Sequence, residues 1–124
     1  MKKVLIFAAL GETATGLILV AVPAIAIRAL CGVEIAGAGI IPTRVAGIAL
    51  IGLGVACWPN NSTHQQLYGM LTYSTLVMLY LIRIGVRGAP VGVLLWPAVA
   101  LHAALCALLL WTWAKRPKNS LGNL

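Results

Sequence analysis

The sequence predicts an all-α fold, a bundle of four membrane-spanning helices running up-down-up-down, and three observations predict it. Hydrophobic residues make up 61% of the 124 positions and charged residues 9%, where a soluble domain is nearer a quarter charged. The apolar residues fall into four long runs separated by short stretches of charged and turn-forming residues. Each run is close to the ~20 residues a helix needs to cross the hydrocarbon core. Four such helices and their turns use up the chain, so residues 1–124 are read as one integral membrane domain.

The first segment covers 4–27, after Lys2 and Lys3 and before Arg28. It imitates a secretory signal, with a basic start, an apolar run and Ala24-Ile25-Ala26 as a small-x-small pattern. Glu12, Gly11 and Gly16 interrupt that run, which is long enough to span, and a retained helix is the reading adopted. A polar turn around Arg28 to Glu34 leads to the second segment, 35–58, with Pro42 and Arg44 early in it. Starting this helix after Arg44 would leave too few residues to cross, so Arg44 is expected inside the membrane. Pro42 either kinks the helix or starts its regular part. The run from Pro59 to Gln66 is turn chemistry and forms the middle loop. Its overlapping Asn60-Asn61-Ser62 and Asn61-Ser62-Thr63 match glycosylation acceptors, a pattern short enough to arise by chance. The third segment covers 67–84, Arg87-Gly88-Ala89-Pro90 makes a tight connection, the fourth covers 91–114, and a basic tail starts at Lys115.

Lys2, Lys3, Lys115, Arg116 and Lys118 share one side, with Arg28 and Arg87 on the other. The positive-inside rule then puts both termini in the cytoplasm. Trp58, Tyr68, Trp111 and Trp113 fall at the cytoplasmic interface and Trp96 near the opposite one, as in an aromatic belt. The formal charge of +7 does not signal nucleic acid, because the basic residues come in ones and twos at segment ends. The bilayer is the partner they imply. Lipid gives no hydrophobic drive between helices, so small residues at helical spacing mark packing faces. Gly11 with Thr15, Gly52 with Ala56, and Ala100 with Ala104 and Ala107 are the candidates.

Glu12 is the most informative residue, because a carboxyl in hydrocarbon faces a bundle interior and finds a partner there. At ~1.5 Å per residue it lies about 12 Å from the cytoplasmic edge, and Arg44 about 21 Å. A long arginine side chain, helix tilt or a water bridges such a gap, and a Glu12 to Arg44 ion pair is expected. His102 in the middle of the fourth segment, and Tyr73 flanked by Thr72 and Ser74 in the third, complete an intramembrane cluster of Glu12, Arg44, His102 and Tyr73. The cluster reads either as a structural pair that fixes helix register or as a proton or ligand site. Arg83 reads as a snorkelling residue at the interface.

No enzyme chemistry is indicated. No serine or cysteine nucleophile has a base at recognisable spacing. Cys31, Cys57 and Cys106 are odd in number, lie on separate segments and make neither a metal nor a disulfide pattern. Bis-histidine haem ligation would need imidazoles on facing helices, and His64 is in a loop. No metal or cofactor is expected.

Several stretches carry a resemblance: Gly11-Glu12-Thr13-Ala14-Thr15-Gly16-Leu17 with Pro23; Arg44-Val45-Ala46-Gly47 followed by Gly54-Val55-Ala56-Cys57-Trp58; Gly69-Met70-Leu71 with Tyr73; and Leu95-Trp96-Pro97 with Leu101-His102-Ala103. Together they resemble a group of small four-helix bacterial membrane proteins to which no activity is assigned. The resemblance spans nearly the whole chain. It implies a multi-pass protein of the bacterial inner membrane and singles out Glu12, Arg44 and His102. Small multidrug-resistance transporters are similar in outline, with an acidic residue in the first helix, but Arg44 would oppose a cation there and the third segment lacks the expected tryptophan. DoxX-like proteins, some tied to quinone chemistry, share the outline alone. The leading expectation is a non-enzymatic accessory, assembly or interaction subunit of a membrane complex, or a homo-oligomer. The alternative is a proton-coupled transporter or a lipophilic-ligand or quinone-binding protein that uses the polar cluster.

Overall fold

A computed structural model of the chain describes residues 2–60, 63–88 and 91–115. Asn61 and Ser62 of the acceptor pattern, Ala89-Pro90 of the tight connection, and the tail from Arg116 lie outside the described residues. The protein is all-α: α1 (Lys2–Ala21), α2 (Pro23–Cys31), a single 3-10 turn (Gly37–Gly39), α3 (Ile40–Ala56), α4 (Thr63–Val86) and α5 (Leu95–Ala114). Four stretches are long and apolar enough to cross a membrane: Lys2–Ala21, Gly37–Ala56, His64–Val86 and Leu95–Ala114.

Where these boundaries differ from the expected ones, local chemistry explains the difference. The first segment does not run unbroken to 27. It breaks at Val22 (φ −133°, ψ 59°), because Pro23 has no N–H with which to continue the ladder. The chain restarts as α2 with that proline in its first turn. Gly32, in the left-handed region at φ 70°, ends α2 by donating its N–H to the Arg28 carbonyl. α4 starts at Thr63, inside the expected loop, and the buried side chain of Gln66 ties its first turn to the end of α3. Gln66 Nε2 donates to the Trp58 carbonyl at 2.6 Å, and Oε1 accepts the Asn60 N–H at 3.3 Å. Residues 91–94 are not helical. Instead the N–H groups of Leu94 and Gly92 donate to the carbonyls of Ala29 and Leu30 at 2.9 and 3.3 Å. Those carbonyls belong to the last turn of α2, which has no partners of its own to offer them. Glycine is required at 92, where a Cβ would run into the Ala29 carbonyl.

α1 packs mainly on α3 and α4 mainly on α5, and α1 joins the two pairs through fewer contacts to α4 and α5. The α1 and α3 backbones nearly touch. A Cβ on Gly16 would lie 2.5 Å from the Gly47 carbonyl oxygen, and one on Gly47 would lie 2.6 Å from that of Gly16. Further along, a Cβ on Gly54 would strike Thr13 and the Ala9 carbonyl. Numbers rise along one helix as they fall along the other, so this pair is antiparallel. The small residues singled out from the sequence lie elsewhere: Gly11 and Gly52 have open space beside them, and Thr15, Ala56, Ala100, Ala104 and Ala107 are exposed. Small-xxx-small spacing recurs on several faces of helices this apolar, and the neighbouring helix selects one of them.

The packed core is built from Leu5 and Ala8, Cys57, Leu67 and Met70, and Leu105 and Leu109. It sits at the end of the molecule where α1 begins and α5 finishes. There Trp113 Nε1 donates to the Tyr68 hydroxyl at 3.1 Å, and Lys115 Nζ lies 3.9 Å over the Trp111 ring. Gly85 and the Leu95–Trp96 pair meet at the other end. Overpacking the glycine contact by Gly16→Leu, Gly47→Leu or Gly54→Leu is expected to lower stability by about 1–3 kcal/mol. Titration with SDS in mixed micelles, followed by the helical signal, measures this; Gly52→Leu should leave the midpoint undiminished.

Candidate functional site

Glu12 lies halfway along α1 and is 5% exposed. Tyr73, halfway along α4, donates its hydroxyl to Glu12 Oε2 at 3.0 Å. His102 of α5 meets Tyr73 edge-on, with ring centroids 6.1 Å apart at 72°, an arrangement favoured by the ring quadrupoles. Three spans thus bring one polar side chain each to a common level. Glu12 Oε1 has no hydrogen-bond partner among the described residues. His102 Nδ1 and the oxygen of the fully buried Ser74 are likewise buried without a partner among them. Thr72 points outward and is exposed. Unsatisfied buried polar groups are few in native proteins and mark places where a water or ligand completes the structure.

The fourth residue of the expected cluster is not there. Arg44 is exposed, and among the described residues the ion pair in the structure joins Arg28 to Glu34 at 3.4 Å, both largely exposed, an arrangement that contributes little. The register of α1 and α3 explains the separation. Gly47 sits against Gly16, Leu19 and Val20, so Arg44, almost a turn further along α3, is level with the end of α1. That is roughly 13 Å beyond Glu12 along the axis. The gap expected between the two residues exists, but the guanidinium lies on the outer surface and does not bridge it.

Glu12, Tyr73 and His102 form the polar wall of a cavity of about 250 Å³. Its other walls are apolar, among them Leu19, Leu30, Leu50 and Leu81, and among the described residues no lysine or arginine lines it. Thr15 also reaches it, with its hydroxyl already bonded to the Gly11 carbonyl at 2.9 Å. Leu30 of α2 and Leu19 of α1 share this cavity, although an unbroken helix would set them about 16 Å apart along its axis. The break at Pro23 is what brings α2 to the site. These apolar walls were not singled out from the sequence; the proline inside an otherwise continuous apolar run was the available signal.

Among the described residues, no three His, Cys, Asp or Glu side chains are grouped to hold a metal ion. The three cysteines are free, and burial pushes the Cys31 thiol above its ordinary range, away from the thiolate a nucleophile needs. No protein family, curated protein or solved structure matches the chain, so function has to be read from this geometry.

Breaking the Glu12–Tyr73 bond from either side strands the other group in a buried site. Glu12→Leu and Tyr73→Phe are each expected to lower stability by about 1–3 kcal/mol. The double variant should lose less than the sum of the singles in the same SDS titration, because neither group is then left unpaired; strict additivity would mean the bond contributes nothing.

Proposed function

We propose that this protein binds a lipophilic small molecule inside the bilayer, at the cavity walled by Glu12, Tyr73 and His102. The observation that carries this reading is a buried carboxyl that, among the described residues, is bonded through one oxygen only and lines a largely apolar cavity between helices. Small-molecule sites have this composition, a concave apolar surface with a few convergent polar groups. Ionisable residues inside a membrane mark ligand or proton pathways more often than surface ones do. A ligand that carries a hydrogen-bond donor, a quinol among them, would satisfy Glu12 Oε1. Titrating the reconstituted protein with a decyl-substituted quinol should give saturable binding, weakened at least tenfold in Glu12→Gln. A buried polar group left without its hydrogen bond costs about 1–3 kcal/mol, and ~1.4 kcal/mol is tenfold. Proton release on binding, lost in the same variant, would extend the reading to proton-coupled transport. Silence of the wild-type protein toward a broad panel of lipophilic donors would overturn it.

Arg44 favours a second reading, that of an accessory or assembly subunit of a membrane complex or a homo-oligomer. It stands exposed on α3 beside Ile41, Val45 and Ile48, and among the described residues α3 packs mainly on α1. A charge on an apolar helix surface is stabilised by an acidic group from another chain or by the interface. In mild detergent the protein should then run larger than a monomer or bring a second chain with it, and Arg44→Leu should release that association. A lone monomer with nothing bound would count against this reading.

For topology we infer four spans running up-down-up-down in the bacterial inner membrane, with both termini cytoplasmic. In the sequence Lys2, Lys3, Lys115, Arg116 and Lys118 flank the spans on one side, and Arg28, Arg44, Arg83 and Arg87 fall toward the other, a margin of one basic residue that supports that orientation. A cysteine replacing Lys115 in a chain freed of its native cysteines should react with an impermeant maleimide in inside-out vesicles and stay unlabelled in right-side-out ones.

A further inference from the structure

Resting on the ligand reading above, we infer that the groove next to the Glu12 cavity is a tail site. The ligand is a neutral, hydroxyl-bearing amphiphile with one apolar chain, which reaches the site sideways from the bilayer between α1, α2 and α5.

A second chamber of about 350 Å³ adjoins the first. The two share Thr15, Leu19, Leu30, Ala98 and Leu101, so they form one path with a polar inner end and an apolar outer end. Among the described residues no charged side chain lines the outer chamber, and the one polar residue there, Thr15, is satisfied by its own helix. Two of its residues, Ile18 and Leu101, are half-exposed on the outer surface of membrane-spanning helices, so the chamber opens toward the acyl chains. Its volume is at the small end of the ~300–1,000 Å³ of ligand sites, room for one chain and not for the two of a phospholipid.

The inner end constrains the headgroup. It holds a carboxyl and, among the described residues, no lysine or arginine, so an anionic head would meet Glu12 with no counter-charge, and a head of either charge that arrives through the acyl chains would have to shed its hydration first. A hydroxyl can donate to Glu12 Oε1. A ring carrying that hydroxyl adds edge-to-face contact with Tyr73 and His102.

The test uses the full chain in phosphatidylcholine nanodiscs, with ligand concentrations expressed per lipid so that partitioning cancels. The probes are 4-decylphenol, 4-ethylphenol, decylammonium and decyl phosphate. The decyl phenol is expected to bind at least tenfold more tightly than the ethyl phenol and than either charged decyl probe. Ala26→Trp, which fills the outer chamber, should weaken 4-decylphenol at least tenfold and leave 4-ethylphenol within twofold. Ile18→Trp, at a half-exposed position that tolerates a large side chain, should do the same if Ala26→Trp fails to fold. Glu12→Gln should weaken both phenols. Unchanged decylphenol binding in the tryptophan variants overturns the tail site while leaving the Glu12 site standing. A preference for decylammonium or decyl phosphate overturns the neutral head. Indifference of both phenols to Glu12→Gln overturns the ligand reading itself.

Discussion

The contact between the backbones of Gly16 and Gly47 is the constraint on which the rest of the architecture depends. In lipid two helices gain nothing from burying apolar surface against each other, and the attraction that remains is close packing. Neither glycine tolerates a Cβ at this distance, so the contact has one register. That register decides which level of α3 faces the middle of α1. It places the α3 arginine near the end of α1, and it leaves Glu12 to turn toward α4 and α5.

Glu12 then finds a phenol where a guanidinium was expected. The two solutions differ physically. A buried ion pair satisfies the carboxyl from a facing charge but must desolvate a second ion. A single hydrogen bond from Tyr73 occupies one carboxyl oxygen of a residue that lines a cavity, and leaves the other without a partner among the described residues. The first arrangement is closed. The second is incomplete by itself, and together with the unpartnered Nδ1 of His102 it gives the bundle a polar centre able to accept a further group.

Packing is uneven along the bundle. Leu5, Leu67, Met70 and Leu109 interlock at the end bearing the N-terminus, each essentially inaccessible. Toward the opposite end the proline break bends the chain, α2 is held by hydrogen bonds from the residues ahead of α5, and the walls stand apart to leave two adjoining chambers. The close-packed end holds the helices together, and the space opens beside it, with Ala8 and Leu105 belonging to both.

Much of the architecture was legible in the residues alone, because hydrocarbon imposes rules that act on composition and length. Four apolar runs of sufficient length, the rarity of charge and the central position of Glu12 need no knowledge of neighbours. Tyr73 and His102 could be set at its depth by counting residues. The break at Pro23 is not part of the expected 4–27 helix, although a proline removes a donor wherever it stands. Which face of each helix turns inward was beyond such counting. Spacing singles out Gly11 and Gly52, whereas Gly16 has Glu12 and Val20 four residues to either side, and only the facing backbone marks Gly16 and Gly47 as the contact. The pairing of Glu12 with Tyr73, the outward turn of Arg44, and the chambers between α1, α2 and α5 all follow from that choice. Periodicity along one helix cannot encode it, because it is a property of two surfaces in contact.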